Sequence, residues 1–141
     1  MSQQIASAHW TGTLKEGQGS FEVGSQLLSG SYTFATRFES TKGTNPEELV
    51  GAAHSACYSM FLSALLSNEN LTPTSIQTKA TVTLGTVDGG PKITSIHLDC
   101  EAKVSGISAE AFATLAQTAK EKCPISRLYQ GTDITLDAKL V

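Results

Sequence analysis

Three cysteines, Cys57, Cys100 and Cys123, carry the most reactive atoms in this sequence. Three thiols cannot all pair within one chain, and a domain of this size needs no disulfide staples, so at least one is expected to be free. A thiol attacks as thiolate. With an ordinary pKa near 8.5 it is only about 3% ionised at pH 7, and a drop to about 6 raises that roughly thirtyfold. A reactive cysteine therefore needs a cation or amide donors beside it. Cys100 alternates inward with Leu98 and Ala102 on a strand, where an inert packed thiol belongs. Cys57 lies in a charge-poor helix among Ala and Met side chains, a place that also suits a small core residue. Cys123 falls where one helix ends and Pro124 can open another turn. It can serve either a helix N-terminus, which favours an anion, or a C-terminus capped by Lys120 and Lys122.

The remaining chemistry-bearing residues add less. His9 and His97 alternate onto the polar faces of strands and are expected to be solvated. His54 and Cys57 form an H-x-x-C pair on one helix face, but two ligands fall short of the four that a structural zinc site normally takes, and no metal is expected. Neither a Gly-rich phosphate loop nor a G-x-S-x-G elbow is present, which disfavours nucleotide binding and serine hydrolysis, and no cofactor is expected.

The elements that must position these residues follow from periodicity. The first forty residues alternate apolar and polar types between glycine-containing turns, predicting strands over Ala6 to Leu14, Ser20 to Val23 and Ser31 to Phe38. Asn45 is then placed to cap a helix with Pro46 at its first position, and Glu48 to close a capping box. The apolar residues Leu49, Ala52, Ala53, Ala56, Cys57, Met60, Phe61, Ala64 and Leu65 fall at helical spacing, and the opposite face is nearly as apolar. A helix with no charged side for about five turns must be covered all round, and a partner subunit could supply what so short a chain lacks. Strands are predicted over Ile76 to Leu84 and Lys92 to Val104, joined through Val87-Asp88-Gly89-Gly90-Pro91. A second helix runs from the cap Ser108 to about Lys122, and a last strand from Asp133 to Leu140. The order βββ-α-ββ-α-β implies an α+β fold, mainly antiparallel, in one domain over residues 1–141.

Composition narrows the function. The chain has 141 residues, 40% hydrophobic and 16% charged, a balance that folds rather than stays disordered. Ten basic against 13 acidic residues give a net charge of -3, so no basic field attracts nucleic acid. Val50 to Ser67 carries no charge, yet His54, Ser55, Tyr58, Ser59, Ser63 and Ser67 interrupt it and no basic flank precedes it, which favours a buried helix over a membrane span. The start MSQQIASAHW lacks the basic and apolar regions of a secretory signal, and a cytoplasmic protein is expected.

The runs Arg37-Phe38-Glu39, Gly43-Thr44-Asn45-Pro46-Glu47-Glu48-Leu49 and Ala52-Ala53-His54-Ser55-Ala56-Cys57, with Cys123-Pro124 far downstream, resemble the OsmC/Ohr family of osmotically inducible and organic hydroperoxide resistance proteins. The R-F-E and A-A-H-x-A-C forms are similar to its OsmC branch. The resemblance covers essentially the whole chain, from His9-Trp10 to the last strand. It implies an intertwined homodimer, with a long buried central helix, that reduces organic hydroperoxides with thiols and is reset by an external dithiol. Carried onto matching positions, Cys57 becomes the peroxidatic cysteine, Cys123 the resolving one, and Arg37 and Glu47 the activating pair. Cys100 matches no family motif.

Read physically, the Arg37 guanidinium would stabilise a thiolate and hold a peroxide oxygen as charge builds on the leaving group, with Glu47 orienting it by a bidentate contact. A plainer alternative places Arg37 and Glu39 as an exposed pair on one strand face, with Glu47 or Glu48 merely favouring a helix N-terminus. Glu47 and Cys57 are ten residues apart, about 15 Å along a straight helix, so they cannot touch within it. A shared interface site is therefore expected. Tyr58, Met60 and Phe61 could form an apolar wall for an alkyl group. Two other readings remain: cysteine-dependent acyl transfer with His54 as base, and a dimeric ligand-binding module with passive thiols.

Overall fold

The computed structural model describes residues Met1–Val141. In chain order its elements are β1 (Ala6–Thr11), β2 (Gln18–Val23), β3 (Ser29–Tyr32), α1 (Phe34–Phe38), α2 (Pro46–Asn68), β4 (Pro73–Val87), β5 (Gly90–Val104), α3 (Ala109–Lys122), α4 (Pro124–Leu128) and β6 (Asp133–Leu140). The expected α+β order stands, with two short helices added. Contacts group the chain into two compact units, Met1–Leu49 and Val50–Val141.

In the first unit β1, β2 and β3 form an antiparallel meander. The strand expected to reach Leu14 stops at Thr11, where Gly12 takes φ +91 and turns the chain. The strand expected over Ser31 to Phe38 is wrong beyond Tyr32. Thr33 and Thr36 cap each other there, the Thr33 hydroxyl accepting from the Thr36 N–H at 3.2 Å and the Thr36 hydroxyl from the Thr33 N–H at 2.9 Å. This reciprocal box opens α1. Phe34 and Phe38, which alternate like strand residues, instead stack one turn apart with ring centroids at 5.0 Å. Asn45 caps α2 as expected, its Oδ1 accepting from the Glu48 N–H at 2.9 Å.

The second unit is two-layered. β4 and β5 pair antiparallel, while β6 returns parallel to β5 after the two intervening helices, so the sheet is mixed. Asp88 and Gly89 both take positive φ, 51° and 78°, in the two-residue hairpin turn, which lets the ladder run to Val87 and Gly90. Ile96, Leu98, Cys100, Ala102 and Val104 point inward on β5, in the expected alternation, and pack under α2 and α3 with Phe112, Ala116 and Ala119.

Although α2 is long and apolar enough to cross a bilayer, it lays a stripe of His54, Tyr58, Leu62 and Leu66 into this core, every fourth residue. Both faces are apolar, so periodicity could not choose between them. The bulky side chains went inward, and Ala52, Ala56, Met60 and Ala64 are exposed. At Gly51 the helix comes so close to β4 that an added Cβ would sit 3.3 Å from Val82 Cγ2.

Candidate functional site

The four residues singled out by sequence come together as two pairs, one in each unit. In the first unit Asn45 works at both ends of its side chain. While its carbonyl oxygen caps α2, its Nδ2 donates to the Thr36 carbonyl oxygen at 3.2 Å, tying the start of α2 to α1. That staple sets Glu47, in the first turn of α2, opposite Arg37, in the last turn of α1. Arg37 Nε donates to Glu47 Oε1 and Oε2 at 3.1 and 3.3 Å, and Nη2 donates to Oε1 at 2.8 Å. The fork occupies the Nε/Nη2 edge of the guanidinium and leaves Nη1 outside the pair. Glu47 is buried, whereas the Arg37 side chain is 37% exposed. The plainer pairing of Arg37 with Glu39 on a strand does not occur, because Arg37 stands on a helix.

In the second unit α4 lies against α2. Cys123 ends α3 and opens α4, with Pro124 at the first position of the new helix, so the two readings of its place meet in one residue. Its Sγ donates to Cys57 Sγ at 3.0 Å, and both thiols are free. Closing a disulfide would need an approach of only about 1 Å. Burial pushes the Cys57 thiol above its ordinary pKa and the contact with Cys123 adds to this, while a hydrogen bond from the Ile125 backbone works the other way. On balance the second unit's own groups disfavour the Cys57 thiolate.

The same docking makes a second contact that sequence reasoning missed. His54 Nε2 and Ser126 Oγ lie 2.7 Å apart and buried, and the Tyr129 ring meets the His54 ring edge-on at 5.6 Å. The signal was present as spacing: Cys123, Ser126 and Tyr129 recur every third residue, as do His54 and Cys57, so each set lies on one helix face. Burial holds the His54 imidazole below its ordinary pKa, and its Nδ1 has no partner. Neither ring nitrogen bonds the Cys57 sulfur, which removes the aligned base that acyl transfer requires.

Other expectations are settled locally. Cys100 is buried in the core, and burial raises its pKa. Tyr58 cannot belong to an apolar wall for substrate, because it is fully buried and its hydroxyl donates to the Ala116 carbonyl oxygen at 3.2 Å. Met60 is 79% exposed. His97 is only partly solvated. The β5–β6 register sets it beside Thr135, 2.6 Å from Nδ1, and its Nε2 lies 3.3 Å from Asp99 and 3.1 Å from Asp137. Those three side chains could converge on a cation, but already satisfy one another.

A sequence model of the family described as OsmC-like protein matches residues 39–137. The chain is 50% identical to the peroxiredoxin OsmC of Escherichia coli K12 over 134 residues, 94% of this chain and 93% of that one. It is 30% identical to an organic hydroperoxide resistance protein of Xanthomonas axonopodis over 67% of this chain and 66% of that one. Among solved structures, an OsmC-like protein from Vibrio cholerae superposes with a TM-score of 0.76 at 18% identity, covering 98% and 99% of the two chains. The organic hydroperoxide resistance protein OhrB of Bacillus subtilis does so at 0.72 and 23% identity, over 95% and 97%. Both share the fold.

Proposed function

The chain belongs to the OsmC-like family and is a peroxidase, and from that premise we propose that it reduces organic hydroperoxides with the Cys57–Cys123 pair. The observation that carries this reading is the 3.0 Å separation of two free thiols held by separate helices. Cys57 thiolate attacks the distal oxygen of the hydroperoxide. The O–O bond breaks, the alkoxide takes a proton and leaves as the alcohol, and Cys57 becomes a sulfenic acid. Cys123 then attacks that sulfur, forming a disulfide and releasing water. An external dithiol supplies the two electrons and two protons that restore both thiols.

Activation falls to Arg37. Since burial and the Cys123 contact raise the Cys57 pKa, the sulfur needs a permanent positive charge, and the guanidinium edge left outside the Glu47 fork suits a thiolate and a departing oxygen. We assign this charge to a second copy of the chain in a homodimer. Two features support that assembly: the exposed apolar stripe Ala52, Ala56, Met60 and Ala64 on α2, and the length of helix between Glu47 and Cys57, about 15 Å.

Multi-turnover assays with an organic hydroperoxide and a dithiol test the assignment. Cys57→Ser should abolish turnover. Cys123→Ser should consume about one peroxide per site and then stall. Full turnover by Cys57→Ser would end this reading.

A further inference from the structure

The buried contact between His54 and Ser126 has no part in the chemistry above, yet it is built at a cost. A leucine at position 54 would fill the core without desolvating a ring or orphaning Nδ1. What the histidine adds is register. Helix α4 has five residues, too few to persist on its own, so its seat depends on what it touches. On α2 it touches at two successive turns: Cys57 meets Cys123, and three residues earlier His54 meets Ser126 and Tyr129. Sliding or tilting α4 would separate the sulfurs, and it would also break a directional 2.7 Å hydrogen bond.

Building on the peroxidase reading, we propose that His54 and Ser126 are positioning residues: their hydrogen bond clamps α4 to α2 so that Cys123 stays aimed at Cys57 and closes the disulfide before a second peroxide arrives. The clamp acts chiefly on the resolving step. Moving α4 would take away two opposing influences on the Cys57 thiol, the Ile125 backbone hydrogen bond and the Cys123 contact, whereas condensation of Cys123 with the sulfenic acid requires α4 in register. If closure is slow, the sulfenic acid meets another hydroperoxide and is oxidised to the sulfinic acid with release of a second alcohol, which is a dead end for this cycle.

Single-turnover mixing with one equivalent of tert-butyl hydroperoxide separates the two steps. Sulfenic acid is read by capture with a cyclic 1,3-dione and intact mass, and closure by the loss of two hydrogens. Ser126→Ala should slow closure about tenfold or more relative to sulfenic acid formation, as expected for a reacting atom misplaced by a fraction of an ångström. With excess peroxide it should accumulate sulfinic acid. Ser126→Ala also strands a buried ring nitrogen, so the double variant His54→Leu/Ser126→Ala supplies the control: removing both partners should recover thermal stability while closure stays slow. Parental closure rates in both variants, or closure that recovers together with stability, would overturn the clamp and leave the peroxidase reading intact. Failure to trap any sulfenic acid in a parental chain carrying Cys123→Ser would instead overturn the peroxidase reading, and the clamp with it.

Discussion

The two units of this chain solve opposite problems. All twelve buried apolar side chains lie in Val50–Val141, and none lies in Met1–Leu49. The second unit closes its own core and uses that rigidity to hold two sulfurs at near-bonding distance. By contrast the first leaves Ile5, Leu14, Leu27, Leu28 and Phe38 exposed, and its best-defined feature is an ion pair held by hydrogen bonds. Nucleophile and cation are thus prepared separately. The sulfur comes partly buried and disfavoured as thiolate, the guanidinium comes oriented and partly open to solvent, and the proposed dimer is where they meet.

Core truncation gives the largest contrast between the units. Leu62→Ala should remove about 2–5 kcal/mol of stability by leaving a cavity under β5, measured by denaturant unfolding. Leu27→Ala, 91% exposed, should leave the stability of the chain nearly unchanged. Equal losses would break the comparison.

Next in size is the loss of the cation. Arg37→Met should lower kcat/KM by about a hundredfold, the scale of losing one preorganised charge contact, and because it strands the buried Glu47 carboxylate it should also melt lower than the parent, with Arg37→Met/Glu47→Gln recovering stability but not rate. The pH profile sharpens this prediction. Burial raises the Cys57 pKa, and attack requires thiolate, so without the guanidinium the rate should climb only at more alkaline pH. An unmoved midpoint would remove Arg37 from the activation step.

The smallest effect concerns His54. Its folded pKa is lowered by burial, so the unfolded chain binds the proton more readily. Its contribution is complete above the unfolded value, about 6.5, and is lost as pH falls below it. Unfolding free energy measured from pH 7.5 to 5 should fall on the acid side, and His54→Leu/Ser126→Ala should flatten that slope.

Much of this was legible in the sequence where alternation was strict. The inward residues of β5 and the Asp88–Gly89 turn follow from period two and positive-φ preference. α1 was not legible, because Tyr32, Phe34, Thr36 and Phe38 alternate as a strand would, and only the mutual capping of Thr33 and Thr36 reverses the choice. The buried face of α2 was hidden for a different reason: with no charged side, size rather than polarity decides which stripe enters the core. Arg37 and Glu47 were found by resemblance, and their fork geometry depends on the Asn45 staple, which no local pattern announces. Ser126 was missed because its partner lies 72 residues away.

Mixed dimers test the shared site most directly. Chains carrying Arg37→Met and Cys57→Ser, each nearly inactive alone, are produced together with different affinity tags, and the heterodimer is purified through both. A guanidinium delivered across the boundary between protomers restores one complete site of two, giving about half the parental activity. A heterodimer as inactive as its parents, or a chain that yields none because it stays monomeric, would contradict it.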